Sequence, residues 1–569
     1  MKSRSSSRIR ILSVCISIFA VFLIGRLYFV QIVDGSELKS KADHQYVQST
    51  YDYFDRGNIF FKTKDGDLVP AATLKSGYVL TINPTLVLDP NNSLKMLSAI
   101  IPIDAGDFLA KAAKINDQYE EVAKRVPLED ADPITALKLP GVSLYKERWR
   151  YYPGNSMAAQ TIGFLAYDDS NQLAGRYGLE RFYENVLHRN NDSVYVNFFA
   201  EMFSNIKNSL SSDSSLQGDV VTTIEPSVQS YLEQELVGVM NEWHSDFSGG
   251  IIMDPTTGAI YAMASNPTFD INNFQQEKDP SIFSDTLVEH DYEMGSIMKP
   301  LTMAAGIDSG AITPTSTYDD TGSLTFNGKT ISNYDGRARG VIPMQQVLSQ
   351  SLNVGAATIE QRTGNATFAK YMLSYGLAST TGIDLPNETY GLNNLKSLYD
   401  IDYVTEAYGQ GIAVTPIEMI RALSVLANGG VLVTPHIASE IDYTVGGAKV
   451  IAPPPGPQVL SKKTTDDVTN MLVTVVDKAL LNGTVKMDHY SIAAKTGTAQ
   501  ISKGKGGGYY PDRYLHSFFG YFPAYDPRFI IFLFNYYPKG AKYASETLTP
   551  SFIDLAKFLI NYYQIPPDR

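Results

Sequence analysis

The pattern of apolar and polar residues predicts regular elements mainly in the C-terminal two thirds of the chain. Apolar residues recur at helical spacing over 226–243 and 552–563, and two β-rich stretches flank a Pro-Thr-Thr-Gly turn at 255–258. Three further strands are predicted at 491–501, 515–522 and 528–537. Because two strands precede a long helical middle and three follow it, we expect an α/β layered domain whose sheet is closed by both ends of its sequence.

The N-terminus carries an apolar run over residues 11–33 that one charged residue, Arg26, interrupts. About 20 apolar residues cross a bilayer, and the long stem of Arg26 lets its charge reach the interface. Four basic residues precede the run: Lys2, Arg4, Arg8 and Arg10. Residues 1–10 are therefore predicted to be a cytoplasmic tail, residues 11–33 a transmembrane anchor, and the chain after Asp34 to be outside. The alternative is a cleaved signal peptide, although no small-x-small cleavage site follows the run.

A polar, serine-rich stretch at 208–219 is typical of a linker. Before it, short strand-like and helical patterns alternate, and reactive side chains are not concentrated anywhere. We expect one domain over residues 34–215 and a second over residues 216–569.

The composition excludes several classes of protein. With 47 Lys and Arg against 60 Asp and Glu, the net charge of −13 is opposite to that of a nucleic-acid binder. The single cysteine, Cys15, excludes an intrachain disulfide and a thiolate metal cluster. The seven histidines are not spaced as zinc ligands on a helix. We therefore expect no metal site and no nucleic-acid partner.

Ser296 and Lys299 form an S-x-x-K tetrad before the helix-like residues 301–308. Residues three apart share a helix face, so the Lys299 ammonium is expected beside the Ser296 hydroxyl. The same spacing also occurs from Ser36, Ser143 and Ser204. A surface serine and lysine would explain any one of these matches, so the tetrad alone specifies little.

Two further motifs follow the tetrad in order. Ser351-Leu352-Asn353 lies 55 residues after Ser296, and Lys495-Thr496-Gly497-Thr498 lies 142 residues after Asn353, inside a predicted strand. The candidate catalytic residues are Ser296, Lys299, Ser351, Asn353 and Lys495, and the candidate substrate-binding residues are Thr496, Gly497 and Thr498. Three motifs in this order are strong evidence for a catalytic site, although each motif alone is weak evidence.

These residue types suit nucleophilic catalysis. A serine hydroxyl needs a neighbouring base, and lysine is a base only when neutral. Its pKa near 10.4 must then fall by roughly 3 units, which corresponds to about 4–5 kcal/mol. Burial of Lys299 and a second cation at Lys495 both act in that direction. Ser351 is placed to relay a proton to a leaving amine, and Asn353 can bind a substrate amide. Which lysine or serine is the true base stays open.

The third motif suits a peptide substrate. Gly497 allows close backbone approach at a strand edge, where an extended peptide could add alongside. Lys495, Thr496 and Thr498 offer a cation and hydroxyls to a terminal carboxylate.

With these motifs, the chain resembles the class B penicillin-binding proteins over nearly its whole length. The ordered trio S-x-x-K, S-x-N and K-T-G is the signature that they share with class A β-lactamases. Further segments that resemble the family are 26–32, 56–59, 175–180, 254–258, 408–411, 415–416 and 516–520. Two departures are Met294, where the family usually has proline, and residues 60–62, where it usually has an aspartate-containing segment.

The resemblance implies a transpeptidase domain with an antiparallel sheet flanked by helices, an N-terminal pedestal (dimerisation-type) domain and one transmembrane helix. It implies a peptidoglycan D,D-transpeptidase in which Ser296 attacks the bond between the two terminal D-alanines of a stem peptide. The acyl-enzyme would pass to an amine of a neighbouring stem, and β-lactams would acylate the same serine. The oxyanion would lie on the N–H groups of Ser296 and Thr498. No cofactor is implied.

The resemblance also implies a single-pass protein of the bacterial inner membrane with its catalytic domain outside, and it favours a division role over a side-wall role. Because no second signature would polymerise glycan, a membrane glycosyltransferase partner is expected. The alternatives are a D,D-carboxypeptidase, a non-enzymatic β-lactam sensor or scaffold, and a class A β-lactamase, which is about half as long. Residues 500–513 are expected to form a mobile loop after the catalytic strand.

Overall fold

The structure is a computed structural model and describes residues 54–114, 116–167, 172–189, 217–391, 394–504 and 507–569. The chain divides into two compact units. The smaller contains Leu74–Tyr151, and the larger contains Gly57–Thr73, Tyr152–Arg189 and the described residues after Ser193.

The described strands, in chain order, are β1 Ile59–Lys62, β2 Leu68–Ile82, β3 Glu120–Val126, β4 Val142–Tyr151, β5 Leu165–Tyr167, β6 Leu173–Gly175, β7 Gly218–Thr222, β8 Phe247–Met253, β9 Ile260–Asn266, β10 Thr317–Asp320, β11 Ser323–Phe326, β12 Lys329–Ser332, β13 Gly340–Pro343, β14 Ala438–Tyr443, β15 Gly447–Val450, β16 Ala493–Ser502, β17 Tyr509–Phe522 and β18 Phe529–Tyr536.

The described α-helices are α1 Pro90–Leu97, α2 Ala105–Ala112, α3 Leu128–Ala136, α4 Ala159–Ile162, α5 Gly178–Phe182, α6 Glu184–Leu187, α7 Pro226–Trp243, α8 Lys299–Asp308, α9 Gln345–Ser349, α10 Asn353–Thr363, α11 Asn365–Ser374, α12 Asp400–Glu406, α13 Pro416–Ala427, α14 Lys462–Thr474, α15 Ala544–Thr547 and α16 Thr549–Tyr562.

The larger unit is built on a five-stranded antiparallel sheet in the order β16-β17-β18-β8-β9. Its first two strands in the chain, β8 and β9, precede the helical middle, and the other three follow it. This confirms the predicted mixed α/β fold with a sheet closed from both ends. Strand β16, which carries the K-T-G motif, is an outer strand of the sheet.

Helices pack on the sheet and bury their apolar faces against apolar side chains of its strands. The strand β18 sequence FIIFLFN is buried throughout, as expected for a strand covered on both faces. Helix α13 begins with a capping box in which Thr415 and Glu418 satisfy each other's backbone N–H groups, and Pro416 occupies its first turn. Helix α13 is buried along most of its length, so it forms a central part of the core.

A second set of strands in the larger unit has the order β15-β14-β7-β1, and β1 also pairs with the first part of β2. The carboxylate of Asp384 helps to fix β14, since it accepts hydrogen bonds from Ile437 N (2.7 Å), Ala438 N (2.7 Å) and the Tyr183 hydroxyl (2.9 Å). The region around β14 is therefore held by a buried carboxylate with three donors.

In the smaller unit, the second part of β2 pairs with β3, β4 also pairs with β2, and α1, α2 and α3 pack on them. Its core is a separate cluster that includes Leu80, Leu97 and Phe108. Both α1 and α2 begin at an aspartate whose side chain accepts a backbone N–H.

Two sequence-based expectations change or stay open. Residues 500–513 were expected to form a loop, but 500–502 belong to β16 and 509–513 to β17, so that prediction is wrong for these residues. The glycines and lysines of this segment indicated a loop, but they do not show where β16 ends and β17 begins. Helices within the described ranges are all too short or too polar to cross a membrane. The predicted anchor at 11–33 lies outside those ranges.

Candidate active site

The nucleophile candidate lies on a turn that presents one hydroxyl. Ser296 is in the 3-10 turn Gly295–Met298, directly before α8, and Lys299 is the first residue of that helix. Ile297, Met298 and Lys299 are buried, whereas Ser296 is partly exposed. Among the described residues, no group forms a hydrogen bond with Ser296 Oγ.

Two glycines let this turn approach its neighbours. Gly295 has φ +64° and donates its N–H to the Gly409 carbonyl at 3.0 Å. A Cβ on Gly295 would lie 2.9 Å from the Thr498 carbonyl oxygen, and a Cβ on Gly409 (φ +85°) would lie 2.0 Å from the Gly295 oxygen. Glycine is required at both positions because L side chains rarely adopt these angles and no space is left.

The carbonyl of Met294 holds the turn against the sheet. It accepts a hydrogen bond from Ser517 Oγ of β17 at 2.7 Å. A Cβ on Gly497 would lie 2.5 Å from the Met294 oxygen and 2.3 Å from Ser517 Oγ. Met294 stands where the family that the chain resembles usually has proline, and its backbone is anchored through this bond. The absence of a side chain at Gly497 leaves room for the Met294 carbonyl and Ser517; the peptide approach predicted at Gly497 stays a prediction.

Lys299 reaches from α8 to the S-x-N segment. Its Nζ lies 2.6 Å from the Ser351 carbonyl oxygen, 3.3 Å from Ser351 Oγ and 2.8 Å from Asn353 Oδ1. The Asn353 amide is oriented by its other end, because Nδ2 donates to the Ser332 carbonyl at 2.9 Å. The oxygen of Asn353 therefore faces the lysine.

Lys495 reaches the same serine from β16. Its Nζ lies 3.2 Å from Ser351 Oγ and 2.9 Å from the Thr496 carbonyl oxygen. Ser351 has φ +56°, an uncommon angle for serine that turns the chain between α9 and α10. The two lysines lie 52 and 144 residues from Ser351 in the chain, and both contact its hydroxyl.

Burial gives both lysines a lowered pKa. Lys299 is fully buried, and desolvation, followed by repulsion from Lys495, holds its pKa well below 10.5. Desolvation also lowers the pKa of Lys495 to about 7. No carboxylate contributes to either pKa, so the neutral amine is favoured at Lys299, as the tuning argument requires, while Lys495 is cationic below about pH 7.

The K-T-G strand alternates buried and accessible residues. Lys495 and Gly497 are buried, whereas Thr496 and Thr498 are partly exposed. Thr498 Oγ1 accepts a hydrogen bond from Ala544 N at 3.1 Å. The structure therefore brings Lys299, Ser351, Asn353 and Lys495 into direct contact, with the strand of Thr496, Gly497 and Thr498 against the Ser296 turn.

Three supporting residues were missed by the motif argument. Ser517 anchors the Ser296 turn, and Glu293 accepts hydrogen bonds from Gly411 N and the Tyr509 hydroxyl, both at 3.0 Å. Arg339 pairs with Asp335 and donates to the Gln350 side chain at 3.2 Å, next to Ser351. Two signals were available: Glu293 lies three residues before Ser296, and Ser517 lies in the family-like segment 516–520. The contact between Ser517 and Met294, however, joins distant segments.

Metal ligands do not gather in the described part of the chain, where no group of three His, Cys, Asp or Glu side chains could hold an ion. His516 is buried in β17 and contacts Thr547 Oγ1 at 2.8 Å and the Lys542 carbonyl at 3.2 Å. Burial lowers the pKa of His516 to about 4, so its ring is neutral at pH 7, and its contacts join β17 to the residues around α15.

Comparison with protein families matches two regions of the chain. Residues 249–556 match the penicillin binding protein transpeptidase domain, and residues 53–223 match the penicillin-binding protein dimerisation domain. The first match contains all eight candidate site residues. These matches agree with the mixed α/β fold of the larger unit.

Individual relatives cover almost the full length. Stage V sporulation protein D of Bacillus subtilis is 31% identical over 95% of this chain and 83% of its own length. The peptidoglycan D,D-transpeptidase FtsI of Escherichia coli is 25% identical over 99% of this chain and 93% of its own.

A solved structure of penicillin binding protein 2X from Streptococcus thermophilus superposes with a TM-score of 0.71 at 19% identity, over 88% of this chain and 79% of that one, which shows a shared fold. Penicillin binding protein 3 of Mycobacterium tuberculosis, in complex with aztreonam, gives a TM-score of 0.67 at 23% identity, over 90% and 97%. From the domain matches and these relatives, the chain belongs to the penicillin-binding proteins with a transpeptidase domain and an N-terminal dimerisation domain.

Proposed function

We propose that this penicillin-binding protein is a peptidoglycan D,D-transpeptidase that uses Ser296 as its nucleophile and is acylated by β-lactams. The observation that carries the proposal is the convergence of Lys299 and Lys495 on the Ser351 hydroxyl, at 3.3 and 3.2 Å, beside the Ser296 turn. A relative with 25% identity bears the name of this activity.

In the first half-reaction, Ser296 Oγ attacks the carbonyl between the two terminal D-alanines of a donor stem peptide. Neutral Lys299 takes the hydroxyl proton, and Ser351 relays a proton to the leaving amine. The C–N bond breaks, the last D-alanine leaves as a neutral amine, and an ester joins the stem to Ser296. Backbone N–H groups of Ser296 and Thr498 stabilise the oxyanion, where one such donor contributes about 3–4 kcal/mol.

In the second half-reaction, an amine of a neighbouring stem attacks the ester. Its proton returns to Ser296 along the same relay, and a cross-link forms. Lys495 in its cationic form, with Thr496 and Thr498, binds the carboxylate of the donor. The outer edge of β16 offers backbone groups to an extended peptide.

We further propose that residues 11–33 anchor the protein in the bacterial inner membrane, with 1–10 in the cytoplasm and the domains at 34–215 and 216–569 outside. This rests on charge and apolar length in the sequence. A membrane glycosyltransferase that supplies nascent strands is the expected partner. Exchange of residues 11–33 for an unrelated span should preserve β-lactam acylation yet impair growth and co-purification with that partner. Normal growth with the partner retained would leave the span as a plain tether.

Fluorescent penicillin labelling with mass mapping tests the nucleophile. Wild-type protein should be labelled on Ser296, and Ser296→Ala should abolish labelling with the fold intact. Ser143→Ala, which removes another S-x-x-K serine, is the control and should label normally. Label that persists in Ser296→Ala, or that maps to Ser143, would contradict the assignment.

A two-peptide assay separates transpeptidation from carboxypeptidation. Protein acylated by a donor stem peptide is supplied with an amine-bearing acceptor stem peptide. The amount of cross-linked product is then compared with the amount of hydrolysed donor. Cross-linked product should dominate. Hydrolysis alone would favour the D,D-carboxypeptidase alternative, because water then replaces the amine acceptor.

A further inference from the structure

Beyond the reactive centre, a row of cations and tyrosine rings runs from the hairpin of β16 and β17 to the residues that follow β18. The members are Lys503, Tyr510, Arg513, Tyr537 and Lys539, which together we call the cationic ridge. None of these residues takes part in the proposed chemistry.

The rings hold the cations in place. The Arg513 guanidinium lies 4.2 Å from the centre of the Tyr510 ring and 5.0 Å from that of Tyr537. Lys503 lies 5.8 Å from the Tyr510 ring, and Lys539 contacts the Tyr537 ring. Cation–π contact of this kind restrains a side chain without neutralising its charge. The ridge thus presents ordered positive charge.

That charge is largely unopposed. Lys539 pairs with Asp246 at 3.1 Å, but within the described ranges neither Lys503 nor Arg513 pairs with a carboxylate. Residues 495–543 contain seven Lys and Arg against two Asp and no Glu, in a chain whose net charge is −13. A positive region on an otherwise acidic protein attracts anionic ligands.

The Lys503 end of the ridge lies where a peptide bound to β16 would extend. Thr498 and Ser502 are four residues apart on β16, which is about 13 Å at 3.3 Å per residue. The other end of the strand is closed, since Ile492 and Ala493 are buried, whereas Ser502 and Lys503 are exposed. A peptide paired with the edge of β16 therefore continues toward Lys503.

Building on the proposed function, we infer that the cationic ridge binds carboxylates of the donor stem peptide, on the part of the stem upstream of the bond that Ser296 attacks. The ridge then selects an anionic stem over a neutral one. A penicillin without a carboxylate on its acyl side chain lacks this group, so the ridge does not affect its reaction with Ser296.

The test uses full-length protein and two synthetic stem peptides that end in D-Ala-D-Ala, one with free upstream carboxylates and one with these groups amidated. The double variant Lys503→Gln/Arg513→Gln is compared with wild type and with the control Lys463→Gln/Lys557→Gln, which removes two exposed cations from helices α14 and α16. The readouts are kcat/KM for D-alanine release and the rate of fluorescent penicillin acylation.

For the free-carboxylate peptide, kcat/KM should fall about fivefold in the ridge variant, because it loses two exposed charge contacts that each change an equilibrium constant by a factor of about two. It should be unchanged for the amidated peptide and in the control, and salt should weaken the preference. Equal rates for both peptides in wild type and variant would overturn the inference, while penicillin acylation would still show that the centre works.

An anionic polymer is the rival ligand. If poly(glycerol phosphate) binds wild type and not the ridge variant while the two peptides react equally, the ridge serves a phosphate polymer and our inference is wrong. Loss of penicillin acylation in wild type itself would instead refute the proposed function.

Discussion

The pH dependence of acylation tests how the two lysines share their roles. Lys495 is proposed to bind a carboxylate as a cation, and burial lowers its pKa to about 7. It is therefore cationic below pH 7 and neutral above it. We expect acylation by penicillin, which carries a carboxylate, to fall as the pH rises through 7 in wild type, and to stay level in Lys495→Arg, because guanidinium keeps its charge.

The magnitude follows from that pKa. A group with a pKa of about 7 is about 90% cationic at pH 6 and about 10% at pH 8, so the second-order acylation rate should fall about tenfold between these values. Lys495→Arg should lose rate at pH 6, since Arg lacks the fit of lysine to Ser351 and Thr496, but its profile should not fall above pH 7.

Stopped-flow or gel-based labelling with fluorescent penicillin, at several concentrations from pH 5.5 to 9, gives the second-order rate constant. Thermal denaturation at each pH checks that the protein stays folded. A level wild-type profile, or the same fall in Lys495→Arg, would refute the proposal that ionised Lys495 binds the carboxylate. Lys299→Arg should be nearly inactive throughout, and more activity in it than in Lys495→Arg would mean that the two lysines have exchanged roles.

Three other predictions concern substitutions elsewhere. Gly497→Ala should lower penicillin acylation at least 100-fold, because its Cβ would lie 2.3 Å from Ser517 Oγ. The control Gly238→Ala, at an exposed position of α7 with nothing within 4 Å, should be active and stabilised by about 1 kcal/mol. Asp384→Ala should lower the free energy of unfolding by about 3–5 kcal/mol in urea titration, since two buried N–H groups lose their acceptor. Burial raises the pKa of Glu406 to about 8, so folded protein holds a proton that the unfolded chain loses above pH 4.5. Wild-type stability should therefore fall from pH 5 to 8 relative to Glu406→Gln, by up to about 1.4 kcal/mol per pH unit; a parallel pH profile for the two proteins would contradict this.

Sequence predicted the parts of the fold that depend on local pattern. The helix expected at 226–243 is α7, Pro226–Trp243, because proline at its start and apolar spacing along it specify both its bounds and its face. The strands β8, β9, β16, β17 and β18 were expected from β-branched and aromatic runs. An edge position was expected for the K-T-G strand, but the order of the other strands depends on long-range pairing, which a single sequence does not encode locally.

The candidate site shows the same division. The eight residues were found from ordered motifs, and their roles stay predictions until labelling is done. Tertiary contacts had no such signal: Ser517 lies in the family-like segment 516–520, but its hydrogen bond to Met294, 223 positions away in the chain, was not predicted. The small strands β10 to β13 within the helical middle were also missed, because four-residue strands carry too little periodic pattern.

The contacts of Lys299 explain why a neutral amine can be stable in a buried site. A neutral amine has two N–H groups and one lone pair. Two of its neighbours, the Ser351 carbonyl at 2.6 Å and Asn353 Oδ1 at 2.8 Å, can only accept hydrogen bonds, so they use both N–H groups. The lone pair is then left for a hydroxyl proton.

Ser351 Oγ is the hydroxyl that connects the two lysines. It can accept from cationic Lys495 at 3.2 Å and donate to the Lys299 lone pair at 3.3 Å. Ser351 Oγ can therefore relay a proton between the two amines. Because the positive φ of Ser351 sets this hydroxyl between the two amines, a bulkier residue at 351 removes both the donor and the turn, whereas Ser351→Gly keeps the turn alone. Acylation lost equally in Ser351→Gly and Ser351→Val would identify the hydroxyl, and activity retained in Ser351→Gly would identify the backbone turn, as the feature that acylation needs.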